Sequence, residues 1–121
     1  MAKAIDPGCR AFTDAIEILG RPWTGLILGL LQAGPLRFSE LEARAKRLGA
    51  KTLSARLKEL EQRGILARHV DDGPPVRVQY SLTRKGRAFG RVAQAIERWG
   101  RELIADPGPV HAEGSRRRVR R

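Results

Sequence analysis

A chain of 121 residues fits one domain with short arms, and that length buries a core without help from a disulfide or a metal. Lys and Arg number 24 against 13 Asp and Glu, a net charge of +11, which attracts polyanions: nucleic acid first, an anionic membrane surface second. The lone cysteine, Cys9, excludes an internal disulfide and fits a reducing compartment.

In chain order, the first eight residues lack the apolar core of a signal peptide. Phe12, Ala15, Ile16 and Leu19 recur at helical spacing and predict a first helix that stops at Gly20. Pro22 suits the first turn of a second helix, whose apolar stripe is Trp23, Leu26, Ile27, Leu30 and Leu31 and whose end is Gly34-Pro35. The apolar run Leu26 to Leu31 is far too short to cross a bilayer, so no membrane partner is expected and the chain reads as cytoplasmic. A third helix is expected near Ser39, with Ser39 and Glu42 at capping-box spacing and Leu41, Ala45 and Leu48 facing inward. Gly49 marks a turn, and a fourth helix runs from about Ala50 to Arg63 with Leu53, Leu57 and Leu60 inward.

The period then changes. Ile65 to Val70 reads as a strand, Asp71-Asp72-Gly73-Pro74-Pro75 as a turn, and Val76 to Ser81 as an alternating, half-exposed strand. Thr83 is expected to cap one long helix. Its stripe Phe89, Val92, Ile96, Trp99 and Leu103 is longer than a core contact needs, and Asp106-Pro107-Gly108-Pro109 stops it. The order is four helices, a hairpin and a helix. The predicted fold is mainly α with a small β-hairpin wing, a winged helix-turn-helix.

The fourth helix carries the chemistry. Lys51, Thr52, Ser54, Ala55, Arg56 and Lys58 are left facing out, which supplies donors for guanine edges and phosphates with nothing bulky to block groove entry. Glu59, Glu61 and Gln62 should point away from DNA. Arg68 and His69 on one strand of the wing and Arg77 on the other suit the backbone or the minor groove. The bland alternative for the fourth helix is an ordinary amphipathic surface helix, and for His69 a plain strand-surface residue.

Several segments resemble the HxlR-type family of bacterial winged-helix regulators. They are Leu19-Gly20-Arg21-Pro22-Trp23-Thr24-Gly25, Gly34-Pro35-Leu36-Arg37-Phe38-Ser39-Glu40-Leu41, Lys51-Thr52-Leu53-Ser54-Ala55-Arg56-Leu57-Lys58-Glu59-Leu60-Glu61, and Tyr80-Ser81-Leu82-Thr83-Arg84-Lys85-Gly86. The match runs from about Cys9 to Trp99 with consistent spacing. It implies a homodimer whose interface is the first helix and the long last helix, here Phe12, Ile16, Phe89, Val92, Ile96, Trp99 and Leu103. It implies double-stranded DNA as the partner, a palindromic operator, DNA contacts at Lys51, Thr52, Ser54 and Arg56, and wing contacts near Arg77. Arg37, Ala55, Lys58 and Arg68 complete the set of candidate DNA-binding residues. Gly49, Ala50 and Ala55 depart from the family, which often carries Ser, Gln and Gln there, so fewer base-reading side chains front the helix. Some relatives sense electrophiles or oxidants through a cysteine just before the first helix, which makes Cys9 a candidate sensor. A thiol packed at the dimer interface is the alternative, and a small-molecule effector is a further expected partner.

The resulting expectation is a sequence-specific transcriptional regulator, a repressor in preference to an activator. The rival reading is a winged-helix module for protein contacts or non-specific nucleic-acid binding. No enzyme is expected, because there is no nucleophile–base constellation and no phosphate loop. Cys9, His69 and His111 lack metal-ligand spacing, so neither metal nor cofactor is expected. Residues 1–111 are expected to form the DNA-binding and dimerisation domain, with a net +7 of their own. Residues 112–121 form a basic tail that adds phosphate attraction.

Overall fold

The computed structural model describes residues 4–105. The predicted basic tail and His111 lie outside them. Two compact units divide between Gly90 and Arg91, and each is described by itself.

The first unit opens with helix α1 (Arg10–Gly20) and helix α2 (Thr24–Leu31). A two-residue strand β1 (Leu36–Arg37) leads directly into α3 (Phe38–Arg44), and a 3-10 turn follows (Lys46–Leu48). Then come helix α4 (Ala50–Gln62), strands β2 (Leu66–Asp71) and β3 (Arg77–Leu82), and a single helical turn, α5 (Arg84–Arg87). The core is the shared apolar face of these elements. Ile27, Leu31, Leu41, Leu53, Leu57 and Leu60 are almost fully buried, and Leu36, Leu66, Tyr80 and Leu82 close it from the sheet side. Helices and hairpin each hide one apolar face against the others, the usual reason such elements pack in layers.

Several boundaries differ from the sequence expectation. The second helix begins at Thr24 and not at Pro22, because Trp23 adopts a left-handed conformation (φ 72°) that a helix cannot contain. Trp23 and Leu26, expected in the apolar stripe, are therefore exposed. The Ser39–Glu42 capping box does not form. Pairing of β1 holds Arg37 extended, α3 starts immediately behind it, and Glu40 Oε1 accepts the Arg37 backbone N–H at 2.8 Å. The third helix is broken at Ala45, yet Leu41, Ala45 and Leu48 are all buried as expected.

The sheet has three strands in the order β1-β3-β2, all antiparallel. In register, Leu66 faces Leu82, Arg68 faces Tyr80, and Asp71 faces Arg77, while Leu36 pairs with Tyr80 and Arg37 with Gln79. Val76, expected in the strand, lies in the exposed loop with Pro74 and Pro75.

The single long C-terminal helix is two elements. Thr83 does cap the first: its Oγ accepts from the Gly86 N–H and donates toward the carbonyls of Gly64 and Ile65. Gly86 lies so close to the hairpin that a Cβ there would stand 2.5 Å from the Ile65 carbonyl oxygen, and only glycine fits. Gln32 donates to the Gly86 carbonyl at 3.1 Å and ties this turn to the end of α2.

The longer helix, α6 (Phe89–Ala105), starts in the first unit and makes up the described part of the second. Phe89 was expected on the dimerisation stripe. It is half-buried against the core cluster instead, since it directly follows the turn anchored by Thr83. The rest of the stripe, Val92, Ile96, Trp99 and Leu103, is exposed, Trp99 to 62 %. No helix among the described residues is long and apolar enough to cross a membrane.

Candidate nucleic-acid interface

Helix α4 is held from behind by Leu53, Leu57 and Leu60, all buried. Its entry is set by Gly49, whose φ of 81° an L side chain rarely adopts, so the sharp turn between the two helices of the helix-turn-helix requires glycine. With the leucine face fixed, the 3.6-residue period leaves Lys51, Ser54, Ala55 and Lys58 on one exposed stripe at i, i+3, i+4 and i+7. Two charged ends with small residues between them suit close approach of the helix to a duplex groove.

Thr52 and Arg56 are different. Thr52 is half-buried. The Arg56 side chain is only 15 % exposed; its Nε donates to the Pro22 carbonyl at 3.1 Å and its Nη1 to Glu59 at 3.1 Å. Glu59 also accepts from Arg21, at the end of α1. Burial works to raise the Glu59 pKa, but the hydrogen bond and charge of Arg21, and then those of Arg56, outweigh it and hold the carboxyl below its ordinary range. One residue on, Trp23 carries the Arg47 guanidinium over its ring at 6.0 Å. Three consecutive junction residues, Arg21, Pro22 and Trp23, are thus gripped by the helix-turn-helix. The helical period alone places Arg56 on the outward side of the helix. Glu59 is three residues on along the same helix, but the Pro22 carbonyl lies 34 residues away and no local pattern announces it.

The wing sorts its cations by face. His69 pairs with Gln79, Asp71 with Arg77, and Arg37 with Gln79, so Arg37, His69 and Arg77 share one side of the sheet. Arg37, His69 and Arg77 line one shallow cavity there, together with Asp71, which pairs with Arg77. Arg68 sits opposite Tyr80 and so projects from the other side, although it too is exposed. Arg37 joins the wing only through β1, a strand that sequence periodicity did not reveal.

Cys9 is half-buried at the N-cap of α1, with no capping bond from its side chain. Phe12 and Ile16, one turn apart on the same helix, are about half exposed.

A helix-turn-helix with a glycine-set turn, a basic second helix and a three-stranded wing define a winged-helix DNA-binding protein. The family model for HxlR-like helix-turn-helix proteins matches residues 18–107, and the chain belongs to that family of transcriptional regulators. It is similar to the uncharacterized HTH-type transcriptional regulator YvaP of Bacillus subtilis, at 44 % identity over 99 residues, covering 82 % of this chain and 91 % of that protein. The reduced form of the regulator YodB from B. subtilis superposes with a TM-score of 0.73 at 40 % identity, over 84 % of this chain and 98 % of that one. The quinone-bound form of YodB gives a TM-score of 0.70 at 38 % identity, over 78 % and 98 %.

Proposed function

We propose that the chain is a homodimeric repressor that binds a palindromic operator, with one α4 in the major groove of each half-site. The observation that carries this reading is the exposed stripe Lys51, Ser54, Ala55 and Lys58 on a helix otherwise locked into the core. Lys51 reads or approaches base edges, and Lys58 meets phosphate. Arg37 and Arg77 contact the backbone from one face of the wing, and Arg68, on the other face, contributes only to the long-range field. Arg56 and Thr52 brace and position the helix. With Ala55 at the centre of the stripe, much of the sequence preference comes from methyl contacts and DNA shape.

The exposed apolar stripe of α6 and Phe12 and Ile16 of α1 supply the dimer interface, and the two-fold pairing gives the operator its symmetry. Residues 112–121 add phosphate attraction without sequence preference. Cys9 responds to electrophiles such as quinones; the quinone-bound relative supports this reading.

Selection of bound genomic fragments followed by duplex titration at several salt concentrations tests the core of the proposal. One duplex should be retained well above random sequence, with affinity falling steeply as salt rises. If no fragment, including the chain's own upstream region, outperforms random DNA, the reading fails and the protein-contact alternative takes its place. For Cys9, Cys9→Ser should abolish quinone-dependent operator release, and unchanged release removes the cysteine from the mechanism.

A further inference from the structure

We infer that the face of the wing turned away from the core seats one phosphate of the duplex backbone, and that His69 makes this contact depend on pH. The sheet register places the parts. His69 pairs with Gln79 on β3, and Gln79 pairs in turn with Arg37 on β1, so the three form one row across all three strands. With neighbouring strands about 4.8 Å apart, His69 and Arg37 stand about 10 Å apart at the backbone, on either side of Gln79. Side chains rising from both ends of such a row close on one tetrahedral anion between them. Arg77, two residues from Gln79 on the same strand, shares that face. All four side chains line one cavity of about 140 Å³.

The lining by itself selects an anion. Its permanently charged members are Arg37, Arg77 and Asp71, which leave one positive charge in surplus before His69 is counted. Val70, the remaining member, adds no charge. Arg37, His69 and Arg77 make no ion pair among the described residues, and with Gln79 they are exposed. Asp71, across the ladder from Arg77, is engaged by its own turn, where its Oδ1 accepts the Gly73 N–H at 3.1 Å. Glu40 of α3 accepts the Arg37 backbone N–H and is not part of the lining. Of these side-chain types only an imidazole changes charge between about pH 8 and pH 5. With the ring protonated the surplus is two positive charges, and with it neutral the surplus is one. A phosphate seated there favours the protonated ring, so binding takes up a proton. The gain in affinity is therefore present at low pH and lost as pH rises. That the phosphate belongs to DNA rests on the function proposed above; the anion preference of this face does not.

Duplex titration of the full chain across this pH range, at constant ionic strength, tests the seat. The wild type should bind operator and random duplex about two- to fivefold tighter at about pH 6 than at about pH 8, the size of an exposed ion pair. Both duplexes should gain alike, because a phosphate contact carries no sequence information. H69Q keeps a donor and cannot titrate, so it should lose the gain and stay near the wild type's high-pH affinity. H69K carries a fixed charge and should hold the low-pH affinity throughout. The other histidine, His111, stays in both variants as the internal control. In proton resonance spectra the His69 ring should titrate at a higher pH in the complex than in the free chain. The same pH dependence in H69Q, or a His69 ring whose titration the duplex leaves in place, overturns the inference. A chain that prefers one operator but shows no His69-dependent gain keeps the regulator reading and sinks the seat. A chain that shows the gain but prefers no genomic fragment over random DNA refutes the operator reading while the seat stands.

Discussion

Helices α4 and α6 are written in the same amphipathic code and meet opposite ends. In α4 the leucines at 53, 57 and 60 are buried within their own unit; in α6 Val92, Ile96, Trp99 and Leu103 remain in solvent. The polar faces diverge too. Glu59 of α4 binds Arg56 on its own helix and also Arg21 beyond the end of α1, whereas Glu97 of α6 pairs, among the described residues, only with Arg101 one turn away on its own helix, at 3.1 Å. An apolar stripe thus encodes the need for a partner and leaves open whether the same unit supplies it. In α4 the demand is met and the polar face is free for recognition. In α6 it is unmet among the described residues, which is what supports the second copy proposed above.

The strongest way to break this contrast is Leu57→Ala. It should cost about 2–5 kcal/mol of folding stability by opening a core cavity, read by chemical denaturation. Trp99→Ala should leave the secondary structure intact and weaken self-association by about 2 kcal/mol or more, read by sedimentation across protein concentration. If Trp99→Ala instead unfolds the chain at every concentration, the α6 stripe serves an internal core and the contrast collapses.

On the polar faces, Lys51→Ala should cost operator affinity at the lower end of roughly 1–3 kcal/mol, with a smaller loss on random duplex. Arg101→Ala, which removes an exposed i,i+4 pair, should change stability by less than about 1 kcal/mol and leave operator preference intact. Equal losses on both duplexes for Lys51→Ala make it a phosphate contact only. The smallest effect concerns Glu59. Its folded pKa is depressed, so its contribution is present at neutral pH and is lost as pH falls through the folded value. Glu59→Gln should therefore be less stable than wild type at neutral pH, and the two denaturation curves should converge on acidification below the ordinary carboxylate range. A gap that is independent of pH would show that the brace is not ionic.

The helices, the wing and the leucine face of α4 were legible in the sequence because each repeats a period over two or more turns. The misses have the opposite character. Strand β1 is two residues long and has no period to read; it exists because β3 offers Tyr80 and Gln79 as partners. The start of α2 moved because Trp23 takes a positive φ in its tertiary setting. The long last helix is interrupted at Ala88, just after the turn in which Gly86 approaches the Ile65 carbonyl, a contact between distant segments. At the site, the stripe from Lys51 to Lys58 followed from helical geometry. The inward turn of Arg56 depended on the Pro22 carbonyl and could not.

The register of the sheet has a mechanical consequence. At Tyr80 and Gln79 strand β3 is clamped on both sides, but the last two pairs, Val70 with Val78 and Asp71 with Arg77, have no third strand beside them. The wing is thus a cantilever, stiff at its root and compliant toward its tip. Arg37 sits where β3 is paired on both sides and Arg77 where it is paired on one side only; on the DNA-binding reading proposed above, Arg77 is the one of the two that would follow the width of a groove. Backbone order parameters falling from Gln79 to Arg77 would record that gradient of stiffness.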